Sequence, residues 1–310
     1  MAGIRKVGLI TCTALTLANM VGTGVFTSLG FQVQAIPSPF LILLLWVLGG
    51  IVAFCGALSY AELAATLPRS GGEYNFLTQI YHPAVGFMAG FVSISVGFSA
   101  PIALAAIALG RYLAVALPGL PAFWTSVSVV LLLAGVHSLT VRASGNFQVV
   151  ITLLKLSLIL TFVGLGFWLG GPLIIAPGER DLEAILSGPF AVSLMFVLYS
   201  YSGWNAAAYI IGEVRDSQRT VPRALMLATA IVTICYVCLN AVFLASGPMN
   251  LFAGRIEVGE IAARNLLGDR GGRIMAGLIG IGLVSAISAM TWAGPRVAQT
   301  VGQDFSILRF

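Results

Sequence analysis

The chain has 310 residues, 58% of them hydrophobic and 9% charged, with a formal net charge of +5 and a mean hydropathy of +0.99. Soluble domains carry roughly 25% charged residues, so this composition excludes a soluble fold, and no basic, aromatic-interleaved patch supports nucleic-acid binding. It describes an all-α integral membrane protein, a single transmembrane domain over 1–310, with the lipid bilayer as its solvent.

A spanning helix needs about 20 mainly apolar residues, because the hydrocarbon core is ~30 Å thick. Eight spans are expected, at 9 to 30, 40 to 66, 84 to 110, 121 to 140, 145 to 170, 189 to 213, 222 to 246 and 274 to 297. Arg5 and Lys6 before the first span imitate a signal peptide, but seven further spans follow and no A-x-A-like cleavage site stands near position 30.

The first span contains NMVGTGVF, with Gly22 and Gly24 on either side of Thr23. Each glycine is about 1 kcal/mol worse than alanine in a helix, and lipid offers no partner to a freed N–H or C=O. The stretch therefore reads as a break in the helix lining a polar site, or as a small-residue contact between close helices. It is no dinucleotide fingerprint, since Thr27 stands where the third glycine would be. Pro101 in the third span predicts a kink. Cys12, Cys55, Cys235 and Cys238 fall inside spans, and the C-x-x-C of Cys235 and Cys238 reads as packing on an apolar helix. His82 and His137 sit at span ends with no partner evident and no role assigned.

Lys155, in the fifth span, is the one clear ionisable residue deep within the membrane. Such burial costs about 3 kcal/mol on insertion scales, so a function or a structural brace is expected of it. The sixth span carries LYSYSGWNAAAY, with Ser200, Ser202 and Gly203 in mid-helix. It lies five helices after the first break, so it enters the membrane from the opposite side. Paired interruptions of that kind mark an inverted-topology repeat with a substrate site between them. Amides at a half-helix N-terminus attract an anion, and carbonyls at a half-helix C-terminus attract a cation. A zwitterion such as an amino acid carries both charges.

Lysines and arginines in alternate loops favour a cytoplasmic N-terminus. Arg5, Lys6, Arg69, Arg142, Arg215, Arg219, Arg223, Arg296 and Arg309 would lie inside, against Arg111, Arg180, Arg255, Arg264, Arg270 and Arg273 outside. Glu62, Arg69 and Glu73 after the second span, and Glu213, Arg215, Asp216, Arg219 and Arg223 after the sixth, read either as inner-gate ion pairs or as solvated loop charges.

The stretches GTGVF, SYAELAATLPRSGGEYNFL, YSYSGWNAAAYIIGEVRDSQRTVPRAL and GPRVAQTVGQD resemble the amino acid-polyamine-organocation transporters, and within them the L-type and related amino acid permeases. The resemblance implies a LeuT-type fold with helices 1 and 6 broken at mid-membrane. Residues 9–170 would form the first five-helix repeat and 189–310 an incomplete second one, helices 6–8. It implies either a C-terminally truncated sequence or a partner chain that supplies the missing helices.

By the same resemblance, the amides of Thr23, Gly24 and Val25 and the Thr23 hydroxyl would receive a substrate carboxylate, with Gly22, Gly24 and Gly203 breaking the helices. Carbonyls of Met20, Tyr199, Ser200 and Ser202 would receive the ammonium group. Tyr199 would cover the substrate, while Trp204 and Asn205 line or support the side-chain pocket. Lys155 would stand where sodium-coupled relatives bind sodium, with Ser285 and Ser288 as its neighbours, making the cycle sodium-independent and open to proton symport or to exchange. No carboxylate is expected at membrane depth in spans 1, 3, 6 or 8, which favours neutral amino acids. The implied function is secondary amino acid transport in the cell membrane, with no cofactor and no metal. A transport-inactive binding or assembly subunit is the alternative, and nothing in the sequence places an enzyme's catalytic groups.

Overall fold

The structure, a computed structural model, describes residues 7–173, 175–179 and 181–305. Arg5, Lys6, Arg180 and Arg309, counted above for orientation, lie outside the described residues. The described chain is helical, and its isolated bridge pairs Val7 with Val214. Helices long and apolar enough to cross a membrane cover Leu9–Ala35, Pro39–Thr66, Pro83–Ala116, Ala122–Leu139, Val141–Leu169, Ser217–Ala245 and Val258–Asp304 among the described residues. The remaining expected span, the sixth at 189 to 213, is divided, and its first half is a shorter apolar helix, Gly188–Ser200.

The first expected span is two helices, α1 (Leu9–Met20) and α2 (Gly24–Ala35). Val21 leaves the helical region at ψ 86°, and α2 restarts three residues later, with Gly24 as its first residue rather than as part of the gap. Next comes α3 (Pro39–Thr66), started by Ser38, whose side chain accepts from the Leu41 amide, and by Pro39 in the first turn. Proline suits that position because its missing N–H would have had no partner there.

A short α4 (Glu73–Ile80) follows the glycine-rich loop, and α5 (Pro83–Val92) opens on His82, whose Nδ1 accepts from the Ala84 amide at 3.2 Å. His82 thus has a capping role that the sequence did not reveal. The third span is disturbed one turn before Pro101: residues Ser93–Gly97 form a π-turn, closed by Phe98 N to Ser93 O at 3.1 Å, before α6 (Ser99–Ala116). Pro101 cannot donate to the Gly97 carbonyl, and the helix absorbs that loss as a wider turn instead of a simple kink.

Two uninterrupted helices, α7 (Ala122–Leu139) and α8 (Val141–Leu169), meet at Thr140, which caps α8 through the Ala143 amide at 3.0 Å. After the short α9 (Asp181–Ile185), α10 (Gly188–Ser200) runs to the second break. Gly203 there has φ +99°, a left-handed conformation open to glycine and strained for other residues. The continuation Ala206–Glu213 winds as a tighter 3₁₀ helix. Then follow α11 (Ser217–Ala245) and α12 (Val258–Asp304), the latter bent at Gly268 with φ +73°. The expected span at 274 to 297 is the middle of α12's second limb.

Helix α11 lies along α3, and α12 along α6. Trp46, Tyr201 and Tyr236 stack into one buried aromatic group behind the two breaks, with centroids 4.9 to 5.9 Å apart. Burying three large rings there fixes the distance between α3, α10 and α11, and so the place where α10 ends. Leu131, Leu132, Phe167 and Trp168 point outward, as suits a surface solvated by acyl chains.

Candidate functional site

The two interruptions meet. Asn19, at the end of α1, donates its Nδ2 to the Gly203 carbonyl at 3.3 Å. Gly24, at the start of α2, sits so close to the end of α10 that a Cβ on it would come within 3.0 Å of Ser200 Cα. Ser28 and Ser200 join their hydroxyls at 2.9 Å. Glycine at 24 and 203 therefore serves close backbone approach, a requirement that helix propensity alone does not express.

Between them lies a cavity of about 350 Å³, within the size range of small-ligand sites. Met20, Gly22, Thr23 and Gly24 of the first break line it, as do Tyr199, Ser200, Ser202 and Asn205 of the second. The opposite wall is the π-turn, through Ser93 and Gly97, together with Ala286 and Met290 of α12. Val25 is fully buried and its side chain does not line the space. Trp204 is also behind the wall: it meets Tyr60 edge-on at 4.9 Å and covers Gly56. Of the two expected uses of Trp204, support is the one the geometry allows. Tyr199 lines the cavity but is 65% exposed, an open edge and not a closed lid.

The ends of the broken helices are unequally satisfied. At the carbonyl end of α1, Lys155 Nζ donates to Val21 O at 2.6 Å and to Ala18 O at 3.3 Å. Tyr236 Oη lies 2.8 Å from Met20 O and 3.1 Å from Ser200 O, so its one proton serves both breaks. The Met20 and Ser200 carbonyls expected to receive an ammonium group are thus already engaged: Met20 O also accepts from the Gly22 amide at 3.0 Å, which fills both its lone pairs, while Ser200 O keeps a second one. The start of α2 has no side-chain cap. Its first-turn amides stand beside the cavity with the positive end of the helix dipole behind them, an arrangement suited to an anion.

Tyr236 was missed in the sequence because a tyrosine in an apolar helix reads as packing. Replacing it with phenylalanine keeps the ring but takes the hydroxyl donor from Ser200 O and one of two donors from Met20 O, at about 1–3 kcal/mol for an unsatisfied buried group. Thermal unfolding of Tyr236→Phe is expected to show a clear loss of stability and weaker site closure. An unchanged melting temperature would mean that water replaces the hydroxyl.

Lys155 is 3% exposed and touches a void of about 20 Å³ beside Gly22 and Gly282, space for about one water. Its expected serine neighbours are placed otherwise. Ser285 Oγ lies 3.4 Å from Thr152 Oγ1, one helical turn before Lys155. Ser288 donates to Gln148 Oε1 at 2.7 Å, not to or from the lysine. His137 Nε2 is 2.8 Å from Ser288 Oγ, so the histidine left without a role has a buried partner. Because Ser288 donates to Gln148, it must accept from His137, which puts the ring proton on Nε2. The series continues from Gln148 Nε2 to Thr152 at 3.0 Å and from Thr152 to Ala14 O at 3.3 Å. One donor chain therefore ties α7, α12 and α8 to α1.

On the side of α4 the cavity is sealed. Two of the charges expected to pair there do so, but with partners on α12: Arg69 with Asp304 at 2.6 Å and Glu213 with Arg296 at 2.7 Å. Glu73 instead accepts from Tyr60 at 3.1 Å and from Asn205 at 2.5 Å. Tyr74 gives its hydroxyl to Asp304 at 2.7 Å, and burial together with that carboxylate raises its pKa above the ordinary tyrosine range. The loop between α3 and α4 is stitched to the 3₁₀ segment by Gly71 N to Tyr209 O at 3.3 Å and Gly212 N to Ser70 Oγ at 2.7 Å. Val7 adds a bridge to Glu213 and Arg215 at 3.0 and 2.9 Å.

Comparison with known proteins gives a consistent picture. Residues 7–310 match a family described as amino acid permease. The chain is 27% identical to the serine/threonine exchanger SteT of Bacillus subtilis (strain 168), over 96% of this chain and 68% of that protein. It is 28% identical to Asc-type amino acid transporter 1 of Mus musculus, over 80% of this chain and 49% of that protein. For b(0,+)-type amino acid transporter 1 of Mus musculus the values are 26%, 77% and 51%. The chain spans about half the length of these two animal relatives.

Proposed function

The chain belongs to the amino acid permease family, and on that premise we propose that it carries amino acids across a membrane by alternating access. The observation that carries this reading is the cavity between two interrupted helices, with uncapped α2 amides on one wall and engaged carbonyls on the other. The family and its named relatives are transporters and exchangers, not enzymes. The fold is accordingly the all-α, multi-pass fold of that superfamily, with residues 9–170 as the first repeat and 189–310 as part of the second. The cell membrane is its setting, and the N-terminus faces the cytoplasm.

The substrate carboxylate rests on the amides of Thr23, Gly24 and Val25. The ammonium group shares the Ser200 carbonyl with Tyr236, takes the place of the Gly22 amide on that of Met20, and reaches those of Tyr199 and Ser202. Neutral amino acids fit best, since Pro101, Leu104, Ala105, Ala286 and Met290 surround the remaining space. Glu73, the acidic group joined to the site through Asn205, does not line this space; its Oε1 accepts from Tyr60 and Asn205. Sodium is not required, because the Lys155 ammonium already fills the cation position at the end of α1. The lysine is either a proton carrier or the fixed brace of an exchanger. The closed α4 side and the exposed Tyr199 edge suit a state open away from α4.

The direct test is thermal stabilisation of the purified chain by a panel of amino acids, with sodium and pH varied. Stabilisation by neutral amino acids, indifferent to sodium, supports the site; no shift with any amino acid overturns it. Flux into sealed vesicles then separates a carrier from a binding or assembly subunit. Thr23→Val keeps the shape of the side chain and removes its hydroxyl. It is expected to weaken binding about ten- to a hundredfold, the value of a hydrogen bond to a charged group, and unchanged affinity removes that hydroxyl from the site.

A further inference from the structure

At the end of α6 a second, outward-facing feature stands apart from the substrate cavity. Leu117 of α6 with Ile274 and Gly277 of α12 wall a groove of about 520 Å³, and Arg270 and Arg273 stand at its mouth. Leu117 and Ile274 are 59% and 60% exposed, and a Cβ on Gly277 would meet only Ala116, at 3.4 Å. The floor is thus apolar, shallow and open to the bilayer.

Neither arginine has an acidic partner among the described residues. Arg273 Nη2 donates to the Ala116 carbonyl at 3.3 Å, the last residue of α6, where the helix dipole places partial negative charge. The acids closest in sequence are taken: Glu260 and Asp269 both pair with Arg264, at 2.6 and 3.6 Å. Arg270 makes no ion pair among the described residues. Two fixed positive charges therefore border an apolar groove at the end of a membrane helix. An acyl chain suits such a floor, and the charges decide which headgroup lies above it.

We infer that this groove is a binding site for an anionic phospholipid, with an acyl chain along Leu117, Ile274 and Gly277 and the phosphodiester on Arg270 and Arg273. Basic pockets between membrane helices recognise acidic headgroups in this way, each guanidinium attracting the phosphodiester charge. A zwitterionic lipid offers the same chain but brings a cation beside the guanidinium groups.

The test uses the full chain in detergent with equal amounts of dioleoyl phosphatidylglycerol and dioleoyl phosphatidylcholine, read by native mass spectrometry. Phosphatidylglycerol is expected to be retained about tenfold more than phosphatidylcholine. The double variant Arg270→Gln/Arg273→Gln is expected to erase that preference while retaining phosphatidylcholine as before. Should that variant fail to fold, Arg270→Lys/Arg273→Lys is expected to keep the preference, because charge and not fork geometry is the claim. Equal retention of the two lipids by the unaltered chain overturns the proposal. So does a preference that survives the double glutamine variant, or a groove occupied by a helix of a second copy in place of lipid.

Discussion

Lys155→Ala is expected to lower affinity for any stabilising amino acid by more than tenfold while the chain still inserts and folds. The physical reason lies at the end of α1. The ammonium is the donor for Val21 O and Ala18 O, and in a lipid-surrounded interior each carbonyl left bare costs about 1–3 kcal/mol. The helix end is then free to rewind across Gly22 and Thr23, which closes the gap that exposes the α2 amides. Lys155→Met separates stem from charge: it keeps the packing of the stem, and it is expected to lose affinity almost as fully. Uptake in sealed vesicles decides between the two roles of the lysine. A folded Lys155→Ala chain whose residual uptake no longer depends on pH supports proton coupling. The dependence of the unaltered chain, retained in the variant, would falsify it and leave the brace.

Gly203→Ala should be nearly as damaging, and by a different route. The residue sits at φ +99°, which costs a non-glycine residue about 1–3 kcal/mol. Its Cβ would also lie 2.9 Å from Asn19 O and 3.0 Å from Asn19 C, backbone atoms that cannot swing aside. The second break would be forced away from the first, widening the cavity and losing the Asn19 hydrogen bond. The expected results are a lower melting temperature and no stabilisation by amino acids at concentrations that saturate the unaltered chain. Gly22→Ala is the control, because nothing lies within 4 Å of a Cβ there; it is expected to fold normally. Equal effects of the two substitutions would show that flexibility, and not close approach, is what these glycines supply.

The polar groups inside this molecule divide into two kinds. Some, such as the donor series from His137 to Ala14, satisfy one another and hold α7, α8, α12 and α1 in register. Others, the α2 amides above all, are left with the cavity as their neighbour. In hydrocarbon the first arrangement is how a buried polar group is tolerated at all, and the second is how a ligand is recruited.

Composition and hydropathy determined that the chain is helical and membrane-embedded, because lipid leaves a spanning backbone few alternatives. Two glycine- and serine-bearing interruptions, read five helices apart, located both breaks to within a few residues. Local sequence could go that far because helix propensity and hydropathy are properties of short windows. Which groups complete the broken ends was decided only by the tertiary structure. Tyr236, Gln148 and His137 look like ordinary residues of apolar helices until packing brings them to Met20 O, Ser288 and one another. Asp304 and Arg296 close the α4 side with Arg69 and Glu213, 235 and 83 residues earlier in the chain, and Ser288 bonds to Gln148 and His137 in place of the lysine. Those partnerships depend on the rotation of each helix about its own axis. That rotation is fixed by side-chain interlocking of α11 with α3 and of α12 with α6 and α8, which no single segment encodes.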